Sequence, residues 1–138
     1  MAEDPVPTSA PSHTASAPTY AVDPPCKLVL VVNSSLNMSP GKIASQCSHA
    51  TLGAVFRLGY ESLQVRTWLG QGEPIIVVQA AKEALGGLES KSMGLGLPTF
   101  RVHDAGRTEV VSGSFTVLAV GPAPSADIDV VTRSLSLL

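Results

Sequence analysis

Lys27-Leu28-Val29-Leu30-Val31-Val32, a loop over Asn33 to Met38, and then Ser39-Pro40-Gly41-Lys42-Ile43-Ala44-Ser45-Gln46-Cys47-Ser48-His49-Ala50 form the stretch that decides the fold. The first run is apolar, rich in valine and free of turn residues, the pattern of a strand buried on both faces. Ser39-Pro40 then supplies a helix start: a hydroxyl N-cap followed by a proline at the first helical position, where its missing N–H costs nothing. The helix is expected to run to about Leu58. Within it Ile43, Cys47, Ala50, Ala54 and Leu58 recur at helical spacing as a core stripe, whereas Lys42, Gln46, His49 and Gly53 share another face.

Working outward, Tyr60 to Leu69 reads as a short helix ending at Gly70, and Ile75 to Gln79 as a second buried strand. Ala81 to Met93 reads as a helix weakened by Gly86-Gly87, at about 1 kcal/mol each relative to alanine. Pro98 to His103 and Ser114 to Val120 are a third and a fourth strand, the latter broken by Gly121-Pro122-Ala123-Pro124. Ser125 to about Ser136 closes the chain as a helix, with Ser125 as its N-cap and Asp127 and Asp129 in its first turn, where acidic groups complement the helix dipole. Alternating strands and helices predict a layered α/β domain. The third and fourth strands are joined by too few residues for an easy parallel crossover, so that pair is expected to be antiparallel. The expectation is a single three-layer α/β domain with a four-stranded mixed sheet and helices on both faces.

The chain of 138 residues suits one domain by length. Residues 1–26 carry no Lys or Arg and three acidic residues among Pro, Ser, Thr and Ala, and read as a disordered arm. Residues 27–138 are the expected folded body. The arm has neither the Arg-rich character of a mitochondrial address nor the basic start and apolar core of a secretory one, and no run is long enough to span a bilayer. A cytoplasmic setting is expected. The body carries nine basic against eight acidic residues, a net of +1, so any nucleic-acid surface must be local. Cys26 and Cys47 have a spacing that suits no metal site, and Cys47 is expected to pack in the core.

Chemistry concentrates in two clusters, Gly41 to Ala50 and Asp104-Ala105-Gly106-Arg107-Thr108, each following a strand, where α/β sheets build ligand sites. Lys42 lies just inside a helix N-terminus, which already favours an anion. Gly41-Lys42 lacks the first glycine of a phosphate-binding loop and is followed by Ile43, which rejects the nucleotide reading. Gln46 and His49 share the face of Lys42. Asp104 ends a strand before Ala105-Gly106, with Arg107, Thr108, Ser112, Ser114 and Thr116 behind it. Strand pairing is expected to return the Thr116 hydroxyl toward Asp104.

These residues resemble the type 2 peptidyl-tRNA hydrolases of archaea and eukaryotes. The resemblance rests on five ordered blocks: Leu36, Met38, Gly41 and Lys42; Ala44 with Gln46-Cys47-Ser48-His49-Ala50; Asp104 to Thr108; Gly113-Ser114 with Thr116-Val117-Leu118; and Gly121-Pro122. It covers Lys27 to Gly121 and implies a mixed sheet between helices and hydrolysis of the ester joining a peptide to the 3′ ribose of tRNA. It implies no metal or organic cofactor. Carried onto matching positions, it makes Lys42, Asp104, Thr108 and Thr116 the catalytic centre, with Gln46, His49 and Arg107 meeting the terminal ribose or phosphate. Asp104 would orient and deprotonate a water, directly or through a hydroxyl, while Lys42 stabilises the oxyanion. The implied partner is peptidyl-tRNA, held by its acceptor end and backbone phosphates. Monomer and homodimer both stay open.

The entry segment Asn33 to Pro40 has fewer basic residues than is usual in that family. Weak tRNA affinity is therefore expected, unless folding gathers Lys27, Lys42, Arg57, Arg66 and Arg107 on one face. That depletion motivates the alternative of a non-catalytic adaptor on the same fold, and a hydrolase for another small ester is a third reading.

Overall fold

A computed structural model describes residues 23–107 and 109–138. The proposed arm lies almost wholly outside the described residues. The first strand, β1 (Cys26–Asn33), leads through a 3-10 turn (Ser34–Leu36) into α1 (Pro40–Leu58) and α2 (Leu63–Gly70). Then follow β2 (Ile75–Ala80), α3 (Lys82–Gly94), β3 (Thr99–His103), β4 (Phe115–Pro124), α4 (Ser125–Thr132) and β5 (Ser136–Leu137). The sheet is mixed, with order β3-β4-β1-β2-β5; β1 and β2 are parallel and the other pairs antiparallel.

β1 is central and buried on both faces, as its unbroken apolar run requires. Leu28, Leu30 and Val32 join Ala50 and Ala54 of α1 and Trp68 of α2 in one core. Val29 and Val31 join Leu85 of α3 and Ile128 and Val131 of α4 in the other. Each fully buried aliphatic side chain stabilises the fold by about 1.5–3 kcal/mol, so a six-residue run holds both layers to the sheet.

α1 begins as expected: the Ser39 hydroxyl accepts from Lys42 N (3.3 Å), with Pro40 in the first turn. Its approach to β3 depends on Gly53, where a Cβ would lie 2.1 Å from the Phe100 ring. Only hydrogen fits there. This contact seats the Phe100 side chain of β3 directly on α1 beside the site.

Five expectations are corrected. The sheet has five strands rather than four. The closing helix stops at Thr132, because Ser136 and Leu137 gain more by pairing with Gln79 and Val78 at the open edge of β2. Ser125 is the first helical residue and forms no side-chain cap; its N–H is satisfied instead by Pro25 O at 2.8 Å. Gly121-Pro122-Ala123-Pro124 does not break β4, which continues past the start of β3 and stays paired with β1 as far as Pro124; a register shift between Lys27 and Val29 falls opposite Gly121-Pro122 and takes up the residue that has no N–H to donate. Gly121 (φ +112°) follows with its Cα so close to β1 that a Cβ would stand 2.7 Å from Lys27 O. Finally, β2 is less covered than its composition suggests. Ile75 and Ile76 are 43% and 37% exposed, because β5 reaches only Val78 and Gln79.

Candidate active site

The two polar clusters meet. β3 delivers Asp104 to the first turn of α1, and the Lys42 ammonium forms a hydrogen-bonded ion pair with Asp104 Oδ1. Both side chains are nearly covered, at 9% and 3% exposure. The other carboxylate oxygen accepts from Gly106 N at 2.6 Å. The loop is tied at its neck by Asp104 N to Ser114 O (2.9 Å) and Gly113 N to Asp104 O (2.8 Å). Gly106 (φ +77°) lies against Ser112, whose Cβ would be 2.4 Å from an added methyl group. A side chain at residue 106 would therefore push the loop away and take with it the N–H that holds Asp104.

The Lys42 ammonium beside it, aided by Gly106 N–H, holds the Asp104 carboxyl below the usual carboxylate range against the opposing effect of burial. Asp104 is thus ionised at neutral pH. Lys42 sits where the helix dipole adds positive potential, and the pair opens onto a groove of about 690 Å³ between α1 and β3. Gly41, Lys42, Ser45, Gln46 and His49 form the helical wall; Phe100 to Ala105 form the opposite one, with Arg107 and Glu109 at the rim.

The remaining site expectations are distributed unevenly. Gln46 lines the groove but is only 5% exposed, and its Oε1 accepts from the Thr116 hydroxyl at 2.6 Å. Thr116 is completely buried and absent from the groove wall. Its hydroxyl turns to Gln46, with a longer approach to Val102 O at 3.4 Å, rather than to Asp104. That contact engages the amide oxygen and leaves the amide N–H groups as the donors of Gln46. His49 and Arg107 are exposed residues of the groove. Thr108 lies outside the described residues.

Lys42 and Arg107 share the groove with Arg101, but the other basic residues do not join them. Lys27 pairs with Asp129 at 2.5 Å, and Arg66 borders a separate depression with Asp23 and Gln71. Arg57 adjoins Pro98 and Thr99, and Arg101 is held by Glu89 through two hydrogen bonds of 3.0 and 2.5 Å. Sequence reasoning missed Glu109. Its carboxylate accepts from Ser39 N (2.9 Å) and from the Ser39 hydroxyl, the group that caps Lys42 N, so it ties the loop to the start of α1. These contacts hold its carboxyl below the usual range. Its nearness in sequence to the Asp104 cluster was the available signal. Among the described residues no group of three or more His, Cys, Asp or Glu is placed to hold a metal.

The family model for peptidyl-tRNA hydrolase PTH2 matches residues 26–138. The chain belongs to the PTH2 family. A probable peptidyl-tRNA hydrolase 2 of Schizosaccharomyces pombe is 46% identical over 114 residues, covering 80% of this chain and 55% of the relative. The peptidyl-tRNA hydrolase of Methanopyrus kandleri is 42% identical over 113 residues, covering 81% of this chain and 97% of the relative. The human protein named peptidyl-tRNA hydrolase 2, mitochondrial, is 41% identical, with 80% and 63% covered. The chain thus spans a little over half the length of the yeast and slime-mould relatives it matches. A solved Agrobacterium tumefaciens protein of unknown function superposes with a TM-score of 0.58 at 12% identity, over 82% of this chain and 97% of the other; this supports the fold alone. No described helix is long and apolar enough to cross a membrane.

Proposed function

We propose that this PTH2-family chain hydrolyses the ester between a peptide and the 3′ ribose of tRNA, with the Lys42–Asp104 pair at the reacting end of the groove. The observation that carries the reading is where the pair sits: an ionised, nearly covered carboxylate and an ammonium open together onto one cleft. An attacking water needs an acceptor for its proton, and the ester carbonyl needs a cation as its oxygen becomes anionic. Asp104 meets the first need and Lys42 the second. The proton taken from water leaves with the ribose 3′ oxygen when the acyl bond breaks. Because its carboxyl is held low, Asp104 is a weak base, and its main task is to orient the water and the Lys42 ammonium. Gln46, braced by Thr116, donates to substrate from the helical wall, so Thr116 acts as a positioning residue. Thr108 completes the proposed centre by its place in the motif.

His49 and Arg107 are the proposed contacts to the terminal ribose or phosphate. With Lys27 and Arg66 elsewhere, few phosphates are neutralised, and observed affinity should fall only gently with salt, with a slope of roughly −1 to −2 for one or two contacts. The test is release of peptide from purified peptidyl-tRNA at low salt, with uncharged tRNA as competitor. Hydrolysis inhibited by uncharged tRNA supports the proposal. Failure to release peptide, or hydrolysis indifferent to tRNA, contradicts it.

A further inference from the structure

One wall of the groove is an edge strand of the sheet. β3 is the outermost strand on its side of the sheet, and Phe100 to His103 border the cleft. Antiparallel pairing turns the N–H and C=O of alternate residues toward opposite sides of a strand. Pro98 O accepts from Gly121 N (2.9 Å), and Asp104 bonds Ser114 O and Gly113 N through its own N–H and C=O (2.9 and 2.8 Å). Residues 98, 100, 102 and 104 therefore face β4. The register shift between Val102 and His103 inserts its extra residue, Thr116, on β4, so the alternation along β3 is unbroken. Thr99, Arg101 and His103 consequently present their backbone groups to the outer edge, and among the described residues nothing pairs with them.

We infer that the peptide portion of peptidyl-tRNA binds as an added strand on this edge, an inference that rests on the hydrolase reading above. The reacting carbonyl is the C-terminal end of the peptide and sits beside Asp104, which directly follows β3. The peptide therefore extends from there toward Thr99, parallel to β3. The five residues of β3 span about 16 Å at about 3.3 Å per residue, enough for four extended peptide residues. Main-chain pairing supplies affinity without reading side chains, which suits an enzyme acting on peptides of any sequence. The acceptor stem takes the other side of Asp104, toward Arg107.

The test compares N-acetyl-aminoacyl-tRNA with a tetrapeptidyl-tRNA of the same C-terminal residue, and with tetrapeptides methylated at one backbone nitrogen at a time. The tetrapeptide is expected to lower KM by about 10-fold or more. Methylation should raise KM by about 2- to 10-fold at alternate positions, as the loss of one net hydrogen bond implies, and leave the intervening positions unchanged. If the acetyl-aminoacyl substrate is hydrolysed but length gives no gain, or methylation shows no alternation, the added strand is overturned and the hydrolase reading stands. If neither substrate is hydrolysed, the hydrolase reading falls and the added strand with it.

Discussion

Among the described residues are two Lys–Asp pairs of similar intimacy and different setting. Lys42–Asp104 joins α1 to the end of β3, and Lys27–Asp129 joins β1 to α4 at 2.5 Å. In both, the lysine holds the aspartate below the usual carboxylate range. Only Asp104 has a backbone N–H on its second oxygen, and only Lys42–Asp104 borders the groove of about 690 Å³. Asp129 is 32% exposed at its side chain, against 3% for Asp104. An ion pair by itself is therefore uninformative about function. What separates the two is a cavity able to admit a substrate, and a scaffold that keeps one carboxylate ionised while covering it from bulk water.

The sharpest division between the pairs is expected on removing the cation. Lys42→Ala should lower kcat by about 10²–10³-fold, the cost of losing an oxyanion stabiliser, whereas Lys27→Ala should leave kcat unchanged. Equal losses in the two variants would erase the distinction.

Next comes the frame around the Lys42–Asp104 pair. Gly53→Ala places a methyl group inside the Phe100 ring and should destabilise the protein by about 1–3 kcal/mol, read as a lower denaturation midpoint, with a higher KM as α1 and β3 separate. Unchanged stability would show that the close approach is not rigid. Thr116→Val keeps the shape of the side chain and removes the hydroxyl that engages Gln46. KM should rise by about 2- to 10-fold, one net hydrogen bond, with the pH profile of kcat unaltered. A change in that profile would place Thr116 in the proton chemistry instead.

The pH dependence has a definite sign. The folded-state pKa of Asp104 is depressed, so its contribution to stability is present above the unfolded value and is lost as pH falls through the folded one. Asp104 likewise stays ionised below the ordinary aspartate value of about 4, so activity should show no acid limb above that pH. An acid limb well above that value would shift the role of base from Asp104 to another group.

Much of this architecture was legible because its signals are local. The KLVLVV run and the Ser39-Pro40 start each satisfy a short-range rule, and β1 and α1 follow them closely. What escaped depends on tertiary partners. β5 is two residues long and exists only because β2 has an open edge. β4 runs through Gly121-Pro122 because a register shift against β1 takes up the residue without an N–H. At the site, Lys42, Asp104, Gln46 and His49 could be found from motif and helical face. The Thr116–Gln46 bond joins residues 70 apart, and Glu109–Ser39 likewise. No periodicity reports such contacts, and Thr116 was accordingly expected to face Asp104.

The most direct measurement is single-turnover hydrolysis of N-acetyl-aminoacyl-tRNA by the wild type, Asp104→Asn and Asp129→Asn, each first shown to unfold cooperatively. Rapid hydrolysis by the wild type and Asp129→Asn, with at least about a 10²-fold loss in Asp104→Asn, is the predicted result. Equal rates in the two variants, or an inactive wild type, would contradict the assignment of the Lys42–Asp104 pair as the reacting centre.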